Sequence, residues 1–216
     1  MTLNLTAAID LKYLLYICDM IGVGVFAITG GLMAARKGMD IFGFMVLGIV
    51  TAIGGGTTRD LILGLPVFWI EDPNYLLVAT IAGGAMFFLG HVFSSLTRTL
   101  LWLDAAGMAL FAVAGAGWAI AKDAPLSIVL FMGVVTACGG GMIRDVLARE
   151  VPLVFQREIY AIAALAGAAT YGLLVFYTNF GAWAMTAGGA VAFIIRGLAI
   201  HFDLSLPVYQ TKDMRK

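Results

Sequence analysis

The chain has 216 residues, 62% of them hydrophobic and only 12% charged, with a mean hydropathy of +0.98. A soluble domain of this length carries about twice that charge, so a water-soluble globule is excluded and an integral membrane protein is indicated. A formal net charge of +0 offers nucleic acid no electrostatic footing, and two cysteines in apolar segments, Cys18 and Cys138, argue against a disulfide framework.

The N-terminal stretch MTLNLTAAIDLKYLLY has neither a basic flank nor a small-residue cleavage site, so the first span is read as retained. Cutting at polar and turn-forming residues predicts seven transmembrane helices and an all-α membrane fold. They run Tyr13–Ala35, Ile41–Gly64, Tyr75–Ser95, Leu100–Ala121, Leu126–Ala148, Ile159–Tyr177 and Ala182–Ile200. The connectors are short, so residues 1–216 form one membrane domain. If the N-terminus is outside, Arg36, Lys37, Arg98, Arg149, Arg157, Lys212, Arg215 and Lys216 fall inside, leaving Lys12 and Lys122 outside. That asymmetry predicts an N-out, C-in orientation.

The first span carries Asp19 and then GVGVFA, Gly22–Ala27. The latter imitates a dinucleotide fingerprint, but no strand precedes it and it lies in a membrane span. The second span carries TAIGGGTTRD, Thr51–Asp60, and the fifth carries TACGGGMIRD, Thr136–Asp145, 85 positions later. Aligning residues 19–60 with 104–145 at that offset gives sixteen identities in 42 positions, against about four from the Ala- and Gly-rich background of membrane helices. The chain is therefore read as a duplication: repeat one spans about 11–95 and repeat two about 96–178. An extra helix at about 181–203 and a short cytoplasmic tail, 204–216, follow. Each unit holds three spans, so the second must cross the membrane in the opposite sense, the inverted-repeat plan of many transporters.

Within each unit a glycine triplet, Gly54, Gly55 and Gly56 or Gly139, Gly140 and Gly141, lies near mid-membrane. Glycines cost about 1 kcal/mol each in a helix interior. Spaced small residues would serve pure packing equally well. A contiguous, duplicated triplet points instead to a kinked or unwound stretch whose backbone, with Thr51 and Thr136, lines an ion pathway. Asp19 and Arg59 sit at matched depth, as do Asp104 and Arg144. With Asp60 and Asp145 they predict two charged pairs flanking that pathway, since an unpaired intramembrane charge costs a few kcal/mol. His91 and His201 are isolated, and Arg196 is expected to snorkel to the interface. No nucleophile–base set, phosphate loop, metal cluster or cofactor motif is found, so no enzyme is expected.

Seven spans, two inverted three-span units and a duplicated G-G-G-x-x-R-D resemble the TRIC family, the trimeric intracellular cation channels and their prokaryotic relatives. The resemblance covers Tyr13 to about His201. It implies a homotrimer in the lipid bilayer with one pore per subunit, bounded by the first six spans, passively conducting monovalent cations, K⁺ and Na⁺. It also implies a bacterial inner membrane setting. The same prokaryotic group is also labelled a glycine-transporter domain, which keeps open a secondary carrier of a small solute such as glycine on the same inverted-repeat site. A purely structural membrane protein would not need duplicated glycines beside charges.

Overall fold

A computed structural model describes residues 5–92, 96–156, 158–178 and 181–207. Ser95, Arg157, Lys212, Arg215 and Lys216, and with them most of the tail, lie outside the described residues. Among the described residues the chain is helical: α1 (Leu5–Arg36), α2 (Ile41–Leu63), a single turn α3 (Phe68–Glu71), α4 (Asn74–Leu89), α5 (Leu96–Ala121), α6 (Leu126–Leu147), α7 (Ala161–Tyr177) and α8 (Gly181–His201). Two 3₁₀ turns, Gly90–Val92 and Leu153–Phe155, and one antiparallel bridge between Glu158 and Ser205 complete it. Six helices are long and apolar enough to cross a membrane, and Ala161–Tyr177 is a shorter apolar helix. The structure adds α3 and the turn at Leu153 inside segments that the sequence reads as plain connectors.

Local chemistry sets the boundaries. The Asp40 carboxylate accepts a hydrogen bond from the Gly43 amide at 2.8 Å and caps α2, satisfying a donor that the first turn leaves free. Gly64 ends α2 in the left-handed region at φ 62, as a glycine after a helix commonly does. The corresponding position of the second unit, 85 residues on, is Arg149 at φ 55, and Gly38 at φ 63 is matched by Asp123 at φ 55. The turns were thus duplicated with their backbone shape, although the glycines were not kept.

Helix α5 is the most buried of the spans and packs on α1, α6, α7 and α8, while α2 packs on α1, α4 and α6. Large side chains such as Phe42, Leu61, Phe88 and Trp183 face outward, where lipid takes the place of a core. The interior is built mostly from alanine, glycine and a few aromatics. Small residues let helix backbones approach, which drives association where lipid removes the hydrophobic force between helices.

The two units meet through reciprocal contacts. The Phe26 and Phe111 rings lie 5.1 Å apart. A β-carbon on Gly107 would stand 2.8 Å from the Phe26 ring, and one on Gly22 would stand 2.9 Å from the Phe111 ring. Deeper in, α2 crosses α6 in the same reciprocal way. A β-carbon on Gly55 would lie 2.1 Å from the Thr136 carbonyl oxygen, and one on Gly140 would lie 2.1 Å from that of Thr51. Each contact maps onto the other by the 85-residue offset, as a local two-fold axis requires.

Candidate functional site

The glycine triplets do not unwind their helices. Residues 51–60 and 136–145 are α-helical throughout, and among the described glycines only Gly38 and Gly64 have positive φ. The unwound stretch expected from the sequence is corrected by the backbone contacts just described: Gly55 and Gly140 are where two intact helices touch. Gly54 faces the Ile143 side chain, Gly56 the Phe68 ring, and Gly139 the Gly55 backbone. The hydroxyls of Thr51 and Thr136 donate to carbonyls one turn back, Leu47 at 2.5 Å and Met132 at 2.7 Å. They are buried and turned to their own helices rather than to an open lumen.

The charged residues form two clusters, one beyond each end of this crossing. In the first, Arg59 Nη1 donates to both Asp19 oxygens at 3.2 Å, and its Nε donates to Asp60 Oδ1 at 2.8 Å. In the second, Arg144 Nη1 donates to Asp104 Oδ1 at 2.7 Å and its Nε donates to Asp145 Oδ1 at 2.8 Å. All six side chains are buried. The second oxygen of each motif aspartate holds the chain that returns from the helix. Asp60 Oδ2 accepts from the Phe68 amide at 3.0 Å, and Asp145 Oδ2 accepts from the Leu153 amide at 3.2 Å. The consecutive Arg-Asp pair therefore ties a distant helix and its own following loop to one point. Each cluster carries two carboxylates to one guanidinium, an arrangement that only good geometry and further hydrogen bonds make tolerable in a low dielectric.

Each cluster also recruits one residue from the other unit. Trp118 Nε1, on α5, donates to Asp19 Oδ2 at 2.9 Å, and its ring lies 5.3 Å from the Arg59 guanidinium carbon. Thr29 Oγ1, on α1, accepts from Arg144 Nη1 at 3.1 Å. The 85-residue offset pairs Trp118 with Met33 and Thr29 with Ala114, so a search for repeated identities passes over both. Tyr160, buried and close to Asp104 and Arg144, has Tyr75 as its counterpart. Carrying the alignment past Asp145 would have found it. Arg196 does not snorkel. It is buried, bonded to Glu158, and its guanidinium carbon lies 5.2 Å from the centre of the Tyr160 ring.

Around the second cluster the chain is open to one side. A cavity of about 210 Å³ reaches Arg144 and Asp145 from Glu150 and Glu158. It shares Leu101, Glu150, Val151, Gln156 and Glu158 with a larger cavity of about 820 Å³ floored by Arg196 and Asp203. At the rim, Glu150 accepts an ion pair from Lys37 at 2.7 Å and lies 3.9 Å from Arg36, joining the end of α1 to the loop after α6. Glu150 is exposed. Its carboxyl is held below the ordinary carboxylate range, first by the hydrogen bond from Lys37 and then by that lysine's charge.

This geometry has solved counterparts. A TRIC trimeric intracellular cation channel orthologue from Rhodobacter sphaeroides superposes with a TM-score of 0.85 at 46% identity, over 88% of this chain and 98% of that one. The chain belongs to the TRIC family. A second TRIC cation channel structure matches this TRIC protein at TM-score 0.82 and 36% identity, over 91% and 97% of the two chains. The sequence profile of the family described as Glycine transporter fits the TRIC chain twice, at residues 16–91 and 101–176, two segments offset by the same 85 residues as the motif. A UPF0126 membrane protein of Vibrio cholerae is 45% identical over 200 residues, 91% of this chain and 83% of its own length. The inner membrane protein YadS of Escherichia coli is 43% identical over 201 residues, 91% of this chain and 96% of its own. Like YadS, this TRIC protein is a multi-pass protein of the bacterial inner membrane.

Proposed function

We propose that this chain is a passive channel for monovalent cations, K⁺ and Na⁺, working as a homotrimer with a pathway through each subunit. The observation that carries the reading is the pair of buried clusters bracketing the α2–α6 crossing, each with two aspartates to one arginine. A guanidinium on a cation route would be repulsive alone. Two carboxylates at hydrogen-bond distance overcompensate it, so both approaches favour cations and disfavour anions, an effect strengthened by low dielectric. The likeness to channels described as conducting cations supports the same reading. With the shorter α7 also crossing, seven helices span the membrane, and an N-out, C-in orientation puts the Arg59 cluster toward the outside and the Arg144 cluster toward the cytoplasm. The crossing at Gly55 and Gly140 is then the narrow middle, formed by two whole helices.

The glycine-carrier reading has only the family's description behind it. Proteoliposomes holding the purified chain separate the two. Thallium(I) should enter at a rate linear in its gradient at low concentration, while labelled glycine does not accumulate. Saturable, gradient-driven glycine uptake without thallium entry would overturn the channel reading.

A further inference from the structure

The loop between α2 and α4 closes on the first cluster in a way that its copy does not repeat. After the left-handed Gly64 the chain folds back along the last turns of α2, carrying the single turn α3. The Phe68 amide donates to Asp60 Oδ2, which brings the Phe68 ring over the cluster. The Arg59 guanidinium carbon lies 5.6 Å from the centre of that ring, and the Tyr75 ring packs edge-on against it at 4.6 Å. A β-carbon on Gly56 would stand 2.6 Å from the same ring. The ring is thus pressed onto α2 beside the charged groups.

In the second unit Leu153 stands 85 residues on from Phe68, and its amide bonds Asp145 in the same way. No ring closes there. The three atoms nearest a β-carbon on Gly141, the counterpart of Gly56, belong to Tyr160, Asp104 and Arg144 and none to Leu153. Leu153 instead walls the cavity of about 210 Å³ that reaches Arg144 and Asp145. Two further ties of the first loop are also unrepeated. Trp69 Nε1 donates to Thr57 Oγ1 at 2.9 Å, and the Tyr16 hydroxyl donates to Asp72 Oδ2 at 3.1 Å. Trp69 and Thr57 correspond to Val154 and Met142, and Tyr16 corresponds to Leu101, none of which can make such a bond. Yet the anchorage is light. No residue of α3 is buried, and Ile70 and Glu71 are exposed. Segments with few buried contacts are the first to open, and lids hinge at a few residues near their ends.

We propose that residues 65–73 are a gate over the first cluster and that Phe68 is the residue that closes it. Opening swings the segment about Gly64 and Pro73, breaks the Trp69–Thr57 bond and withdraws the ring from Gly56 and Arg59. An apolar constriction of this kind gates by excluding water. The proposal rests on the channel reading, in which this end is the outer mouth, and adds to it which end opens. The duplicated halves then divide the work: one end is shut by a ring, while the other stays in contact with its cavity.

Single-channel recording of the full chain in a planar bilayer tests the gate through three variants. Phe68→Leu gives the first unit the residue of the second. Gly56→Ala leaves Phe68 in place but drives a methyl into its ring. Trp69→Phe keeps a ring and drops the bond to Thr57. The expected result is a several-fold rise in open probability for Phe68→Leu and for Gly56→Ala, and a smaller rise for Trp69→Phe, all at unchanged unitary conductance. Gly56→Ala should add nothing in the Phe68→Leu background, because both act on one ring. Wild-type currents with open probability unaltered in Phe68→Leu and Gly56→Ala would overturn the gate and leave the channel standing. A change confined to unitary conductance would also overturn it, since the ring would then be a fixed wall. Silence from the wild type and all three variants would overturn the channel reading and the gate with it.

Discussion

Arg59 and Arg144 each hold an aspartate from another helix and the aspartate next in sequence, so the role of the motif pair can be measured by removing one partner at a time. Removing Arg59 leaves two buried carboxylates without their cation, a loss of about 3–5 kcal/mol. Arg59→Gln in detergent should therefore lower the melting temperature by many degrees, and Asp19→Asn, which leaves Arg59 its bond to Asp60, by fewer. Together the two should cost clearly less than their sum, and strict additivity would contradict the pairing. Glu150 offers a milder test at the surface. With its carboxyl held low by Lys37, the stabilisation is complete above the free carboxylate range near about 4.3. It is lost only as pH falls through the still lower folded value. The stability difference between wild type and Glu150→Gln should accordingly stay constant from about pH 8 to about pH 5 and shrink only in stronger acid. A difference that fades between neutrality and pH 5 would contradict it.

At the scale of the helices, the contrast lies within a single glycine triplet. Every glycine in it is helical, so alanine gains up to about 1 kcal/mol of propensity at each position, and the neighbours decide the sign. Gly55→Ala and Gly140→Ala each drive a methyl to within 2.1 Å of a backbone oxygen. Backbone cannot rotate away as a side chain can, so overpacking there should cost about 1–3 kcal/mol or more. Gly141→Ala meets only ordinary contacts and should melt at or above the wild-type temperature. If all three variants melted alike, the close α2–α6 approach would not be what the glycines are for. Arg149 provides a check on the duplicated turns. It holds φ 55 where the first unit has Gly64, so Arg149→Gly should raise stability by a few tenths to about 1 kcal/mol in the same melting assay.

Over the whole molecule, the sequence told most about what repeats. Apolar length marked the helices. The predicted Ile41–Gly64 and Leu126–Ala148 spans fall within a residue of α2 and α6, because Asp40, Gly64 and Pro125 are strong local punctuation. The duplication was legible through its identities, and matched depth was enough to bring Asp19 to Arg59. Three things were not legible. The glycines read as breaks because propensity is a property of one helix, whereas their use here depends on a second backbone 85 residues away. Trp118 and Thr29 were hidden because each serves the opposite unit and has no like counterpart. Arg196 was placed at the interface because its partner, Glu158, reaches it only after α7 and α8 have packed together. In each case the missing information was tertiary: which face of one helix another helix covers.

On the proposed reading, this doubled, acid-rich arrangement carries cations passively. Single-channel recording in a planar bilayer under a KCl gradient addresses it most directly. Discrete unitary currents that reverse close to the K⁺ equilibrium potential are the predicted result, because each approach holds an excess of carboxylate. Reversal at the Cl⁻ potential, or a silent bilayer with protein demonstrably inserted, would contradict it.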